Sequence, residues 1–219
     1  MSLSEKTRED MRAIIARYPE PRSALLPMLH LCQAEEGFVS PEGVAMCAEE
    51  LGLTVAEVGA VATFYTMYKR RPIGDYHVGV CTNTLCAVMG GDAIFSALKE
   101  HLGVGNDETT ADGKVTLEHI ECNAACDFAP VMMVNWEFFD NQTITSAKEL
   151  VDKLRRGDPV APTRGANRVC TWKEASRVLA GFPDGRADEG VSAGPASLLG
   201  LKYAKERGDR APAMPDGGI

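Results

Sequence analysis

Tyr76-His-Val-Gly-Val-Cys81-Thr-Asn-Thr-Leu-Cys86 and, after a gap of 35 residues, Cys122-Asn-Ala-Ala-Cys126 decide how this chain is read. Tyr76, Val78 and Val80 alternate with His77, Gly79 and Cys81, the period of a strand. The strand runs into a C-x4-C pair. Between the two cysteine pairs, Gly90 to Leu102 reads as a helix with Ile94, Leu98 and Leu102 on one face and Phe95 beside them. Asp107 to Gly113 is a polar turn, and Lys114 to Cys122 is a second strand that ends on the C-x3-C pair. Two loops leaving the same end of adjacent strands can bring Cys81, Cys86, Cys122 and Cys126 together.

Four thiolates are what a [2Fe–2S] rhomb needs, because two iron(III) ions, two sulfides and four cysteinates sum to a net charge of about −2. Reduction adds one more negative charge, which N–H donors near the sulfurs offset. Thr82, Asn83, Thr84, Asn123, Ala124 and Ala125 are small or polar and leave room for such contacts. A structural zinc site with four cysteine ligands is the competing reading. Zinc commonly uses C-x2-C knuckles, and neither pair here has that spacing. The spacing favours the cluster and leaves zinc open. A plant-type ferredoxin site would place a third cysteine where Met89 stands, and a Rieske site would need histidines close to the cysteines.

Outward from the cysteines, Val131 to Val134 and Glu137 to Phe139 fit a hairpin around Asn135 and Trp136, and Ser146 to Arg156 a last helix. The order β-α-β-loop-β-β-α indicates an α/β sandwich over residues 71–160. Upstream, four short helices are punctuated clearly. Ser4 caps one carrying Met11, Ile14, Ile15 and Tyr18, which Pro19 and Pro21 end. Ser23 starts a second through Leu25, Leu26, Leu29 and Cys32 to Gly37. Ser40 and Pro41 open a third closed by Gly52. Thr54 and Glu57 have capping-box spacing for a fourth, to about Thr63. Residues 1–70 therefore read as a helical bundle. Residues 161–219 read as a partly ordered tail that packs on a partner or stays mobile. Residues 181–219 hold eight Gly and four Pro, although Thr171 with Glu174 could cap one short helix and Ser197 to Arg207 could form another.

Composition narrows the function. The 219 residues carry a formal net charge of −8, which disfavours phosphate backbones and anionic lipid, so no nucleic acid is expected as a partner. The first ten residues do not read as a secretory signal. No apolar run approaches the roughly 20 residues of a membrane span, so no direct membrane insertion is expected. Seven cysteines without a secretory signal point to metal or redox chemistry rather than a disulfide framework. Cys32 and Cys47 lie on apolar helix faces and read as core residues. His30, His77 and His119 are assigned to no metal, and nothing supports a reactive role for Cys170. No P-loop or dinucleotide fingerprint is found, since Gly103-Val-Gly105 lacks the third glycine and follows a helix.

The flanks make the pattern specific. Cys81-Thr-Asn-Thr-Leu-Cys86 and Glu121-Cys-Asn-Ala-Ala-Cys126 resemble the thioredoxin-like [2Fe–2S] ferredoxins, and within them the 24-kDa subunits of respiratory NADH dehydrogenase, complex I. Ala24-Leu-Leu-Pro-Met-Leu-His30, Gly59-Ala-Val-Ala-Thr-Phe-Tyr-Thr-Met-Tyr68 and Gly105-Asn-Asp-Glu-Thr-Thr-Ala-Asp-Gly113 are similar to other parts of those subunits. The resemblance covers roughly residues 5 to 158. It departs at Cys122 to Asp127, where the family more often has Leu-Gly between the cysteines and a different residue following them. It implies an N-terminal helical bundle followed by a thioredoxin-like α/β domain, with Cys81, Cys86, Cys122 and Cys126 holding a [2Fe–2S] cluster and Ala129–Pro130 in cis. It also implies one-electron exchange with the flavin of a flavin- and NAD-binding subunit in an NADH:quinone oxidoreductase, with other complex I peripheral-arm subunits as neighbours. The location would be cytoplasmic, peripheral at the inner face of the cell membrane. NAD-linked hydrogenases and formate dehydrogenases use an equivalent subunit, and a zinc-stabilised interaction module is the alternative of a different class.

Overall fold

The computed structural model describes residues 3–190, 195 and 198–210. Four helices come first: α1 Glu5–Ile15, α2 Leu25–Glu36, α3 Pro41–Leu51 and α4 Val55–Phe64. The caps are those the sequence offers. The side chains of Ser4, Ser40 and Thr54 accept from the amides of Thr7, Gly43 and Glu57, and Glu57 returns a bond to Thr54 to close the capping box. The second helix starts differently from the sequence expectation. A 3-10 turn at Pro21–Ala24 precedes α2, and no side chain caps it. Helix α1 stops at Ile15, so Tyr18 lies beyond it and is exposed. Met11, Ile14, Met28, Leu29, Cys32, Cys47, Val58 and Ala62 form a closed apolar core between these helices.

The second half is built on a five-stranded mixed sheet. Its strands are β1 Tyr76–Cys81, β2 Glu108–Thr109, β3 Val115–Ile120, β4 Met132–Val134 and β5 Glu137–Phe139, in the spatial order β2-β3-β1-β4-β5. Strand β2 lies inside the stretch whose sequence suggests a polar turn. Strands β1 and β3 are parallel, with Tyr76 opposite Val115 and Cys81 opposite Ile120. Strand β4 runs antiparallel to β1, with Val80 opposite Met132. The crossover from β1 to β3 contains α5 Thr84–Val88, where the sequence suggests only a loop, and α6 Gly91–Leu102. Ile94 and Leu98 of α6 pack with Leu150, Val151 and Leu154 of α7 (Ile144–Arg156) over Val78, Val80, Leu117, Met132 and Val134 of the sheet.

One stretch of the expected tail, Thr171 to Ala180, packs into the fold. Helix α8, Trp172–Leu179, lies against α2 of the same chain, and Ala180 is sealed in the helical core. Thr171 and Glu174 form the expected capping box. Trp172 is wholly buried, and its indole N–H donates to the Gly37 carbonyl at 2.8 Å. The amide of Trp172 bonds the Asp75 carbonyl at 2.7 Å. A fully buried tryptophan with a paired N–H is a strong tertiary anchor, so the segment joins this fold instead of awaiting a partner. Helix α9, Leu199–Arg207, leaves Leu199, Leu201 and Tyr203 exposed; Ser197, included in its expected range, lies outside the described residues.

Candidate metal centre

Parallel pairing of β1 and β3 fixes the site, because both strands end at the same edge. Cys81 is the last residue of β1, and its amide donates to the Val131 carbonyl at 3.1 Å. Asn83 then caps α5 by accepting from the Thr84 amide at 2.9 Å. That short helix turns Cys86 inward, leaving it 3% exposed, and turns Leu85, Val88 and Met89 outward. The bend back into α6 passes through Gly91, whose position admits no side chain: an added Cβ would stand 2.4 Å from the Cys81 carbonyl oxygen. On the other side β3 ends at Ile120 and the loop carries Cys122 to the surface. Cys126 begins a 3-10 turn that leads to Ala129–Pro130, which is cis.

The four sulfurs share one neighbourhood. Cys122 and Cys126 stand 3.7 Å apart, and both are exposed. Cys81 and Cys86 are buried with Ala125 and Val131 in a small apolar cluster of their own. Burial pushes the Cys86 thiol up to about 11; the Val131 amide opposes the shift, while Cys81 and Cys126 add to it. The Cys126 thiol is raised first by its contact with Cys122, and Cys81 adds to that shift as well. Four thiolates this close repel one another, so a bound cation is what would hold all four ionised. Two thiolates on one tetrahedral metal at about 2.3 Å stand about 3.8 Å apart, and the Cys122–Cys126 separation fits that. Among the described residues no three Cys, His, Asp or Glu side chains converge on one point as ligands of a single ion. The donor set is a buried pair facing an exposed pair. The residues fit a two-iron cluster with two cysteines per iron.

Backbone polarity suits added negative charge. The Ala124 amide donates to the Cys122 sulfur at 3.4 Å. Ala124 reaches this position at φ +54°, a left-handed conformation that glycine adopts more easily. The Asn83 side chain donates to Glu121 at 3.1 Å and ties the two cysteine loops together.

The profile of the thioredoxin-like [2Fe–2S] ferredoxins matches residues 11–155. The chain belongs to the thioredoxin-like [2Fe–2S] ferredoxin family. Among curated relatives, this ferredoxin chain is 65% identical to a subunit of the NADH-quinone oxidoreductase of Mycobacterium tuberculosis over 207 residues, which is 94% of this chain and 82% of that one. It is 36% identical to a subunit of the NADH-quinone oxidoreductase of Rhizobium meliloti over 159 residues, 73% of this chain and 95% of that one. The NAD+-reducing [NiFe]-hydrogenase in its air-oxidised state shares the fold. The match has a TM-score of 0.55 at 20% identity and covers 62% of this chain and 23% of that chain.

The remaining cysteines sit apart from this site. Cys32 and Cys47 are fully buried in the helical core with their sulfurs 3.8 Å apart, as their apolar faces suggested. Cys170 is buried, and burial pushes its thiol up to about 11. His30 packs on Tyr68 with ring centroids 4.8 Å apart. His77 lies inside an arrangement that sequence reasoning missed. It bonds Glu118 of β3, Glu118 also pairs with Lys69 after α4, and the His77 ring packs against both Trp136 and Trp172, which also touch each other. Burial alone would raise the Glu118 carboxyl, but the bonds from His77 and Lys69 outweigh it and hold it at about 2. No spacing rule links positions 69, 77 and 118, so this junction between the helical and sheet halves was not visible in the sequence.

Proposed function

We propose that this chain is the [2Fe–2S] electron-transfer subunit of an NADH:quinone oxidoreductase, and that Cys81, Cys86, Cys122 and Cys126 are the cluster's ligands. The observation that carries the reading is the meeting of two cysteine pairs at the shared end of β1 and β3, one pair buried and one exposed. When bound, the cluster supplies one-electron redox chemistry. The chain's own residues hold and shield it. Cys81 and Cys86 anchor it inside, Val131 and Ala125 exclude water on that side, and the Ala124 amide offsets negative charge on Cys122.

The working partner is a flavin- and NAD-binding subunit, because NADH gives up two electrons together and a flavin is needed to part them. The surface around the cluster supports such docking. Leu85, Val88 and Met89 are 44%, 79% and 57% exposed beside Cys86, an apolar rim next to the cysteine loops. Further peripheral-arm subunits complete the assembly, which would place the protein on the inner face of the cell membrane. Among the described residues no helix is long and apolar enough to cross a membrane. The 65% identity to an NADH-quinone oxidoreductase subunit over most of both chains favours the quinone-linked assembly over a hydrogenase.

The test begins with metal content. The protein as isolated should hold about two iron and two acid-labile sulfide per chain, and each of Cys81→Ala, Cys86→Ala, Cys122→Ala and Cys126→Ala should lose most of both. Cys32→Ala should keep them. A colourless protein with one zinc per chain, or full iron in Cys86→Ala, would refute the ligand set. The chain alone should not oxidise NADH, and co-expression with the flavoprotein should give a complex that survives gel filtration. A chain that stays monomeric throughout would refute the partnership.

A further inference from the structure

The side-chain amide nitrogen of Asn123 is buried and has no hydrogen-bond partner among the described residues. Leaving a buried N–H unpaired is costly, and asparagine has easy alternatives at a surface turn. Its neighbours explain why no protein acceptor is in reach. Asn123 directly follows Cys122, and Ala124 after it is wound into the left-handed region, so that its amide points at the Cys122 sulfur. The residue sits inside the C-x3-C loop, between one exposed cysteine and the buried Ala125. It also lines a cleft of about 550 Å³ together with Cys122, Glu121, His119 and Lys69.

The charges around Asn123 do not supply its partner. Glu118 bonds Lys69 and His77 and Glu121 accepts from Asn83, and neither carboxylate accepts from Asn123. The acceptors that the four-cysteine reading brings to this loop are sulfurs: the ligand thiolates and the bridging sulfides. We infer that the Asn123 amide is a hydrogen-bond donor to cluster sulfur and holds the reduction potential above the value the backbone amides alone would give. This rests on the ligand reading of Cys81, Cys86, Cys122 and Cys126. Asn123 is a tuning residue: it binds no substrate and supplies no ligand atom. A donor of this kind favours the reduced form, because reduction adds negative charge to the sulfurs it faces.

Leucine has the branched shape of asparagine and no donor, so Asn123→Leu separates hydrogen bonding from packing. A hydrogen bond to a charged group contributes about 1.5 kcal/mol or more, which is roughly a tenfold change in the one-electron equilibrium, or about 59 mV. The experiment is a redox titration of the holoprotein followed by EPR, with iron and sulfide measured on each sample. Wild type and Asn123→Leu should both carry the full cluster, and the variant should reduce at a lower potential by a shift equivalent to about tenfold. Deuterium exchange should remove a proton coupling from the wild-type EPR signal that the variant never shows. If Asn123→Leu loads poorly, Asn123→Ser, which is too short to place an amide, should show the same fall. An unchanged potential in a fully loaded variant would overturn the inference. Full iron and sulfide in Cys122→Ala would instead overturn the ligand reading beneath it.

Discussion

The most demanding test of the site's architecture is one methyl group, Gly91→Ala. An ideal Cβ at Gly91 would stand 2.4 Å from the Cys81 carbonyl oxygen and 2.9 Å from that of Cys86. Ordinary contact begins near 3.4 Å, so the Cys81 carbonyl would have to retreat by about 1.0 Å, the difference between 3.4 and 2.4. Both obstructing atoms are backbone, which gives far less readily than a side-chain end. Two effects compete. Gly91 is the first residue of α6, and alanine is favoured over glycine in a helix by up to about 1 kcal/mol. Overpacking of a closed site costs about 1–3 kcal/mol, here at the upper end. The net expectation is a loss of about 2 kcal/mol, a fall of about 1 M in the urea midpoint. Cluster loading should fall further than stability, because a shift of about 1 Å is large beside a metal–thiolate bond of about 2.3 Å. Iron per chain below half of wild type is the expected reading. Gly59→Ala is the control: it lies in α4 with nothing within 4 Å of the added methyl, and it should hold full iron with equal or higher stability. Full iron and an unchanged midpoint in Gly91→Ala would show that the close approach of α6 to the cysteine loops does not matter.

Three further outcomes are expected. Trp172→Ala should cost about 3–5 kcal/mol, since it empties the space beside His77 and Trp136 and leaves the Gly37 carbonyl unpaired; thermal unfolding reads this directly, and a loss under 1 kcal/mol would count against α8 as an anchor. Burial holds the His30 imidazole down at about 4. The unfolded chain takes up that proton near pH 6.5 and the folded one does not, so this contribution to stability is full above pH 6.5 and falls by about 1.4 kcal/mol per unit as pH drops toward 4. His30→Met should flatten the wild-type slope between pH 6.5 and 5 in urea unfolding, and identical slopes would refute the assignment. Ala124→Gly should relieve the left-handed strain and raise stability by about 1 kcal/mol without loss of iron.

Much of this protein is legible because it announces itself in local chemistry. Ser4, Ser40, Thr54 with Glu57 and Thr171 with Glu174 all cap the helices they promise. The alternation from Tyr76 to Cys81 marks β1, and the intervening helix makes parallel pairing with β3 the natural outcome. What stays hidden depends on partners far apart in the chain. Trp172 is held by a backbone carbonyl, that of Gly37, which carries no signature in a sequence. Helix α5 escapes pattern reading because five residues, Thr84–Val88, are too few to show a period. The Gly- and Pro-rich composition of residues 181–219 says nothing of Thr171 to Ala180, just before it, which fold onto α2 through the buried face of α8.

The inequality of the two cysteine pairs bears on how the protein is matured. Cys122 and Cys126 lie open to solvent with sulfurs 3.7 Å apart, whereas Cys81 and Cys86 are closed in by Ala125 and Val131. If these four cysteines hold the cluster, an incoming load would reach the exposed Cys122 and Cys126 before the buried Cys81 and Cys86. The same openness makes the outer pair vulnerable before loading. Two neighbouring thiols at a surface are easily joined by oxidants, and a disulfide there would remove the landing point while leaving the fold intact. Empty protein kept in air should therefore lose its capacity for reconstitution through Cys122 and Cys126, and a thiol reductant should restore it.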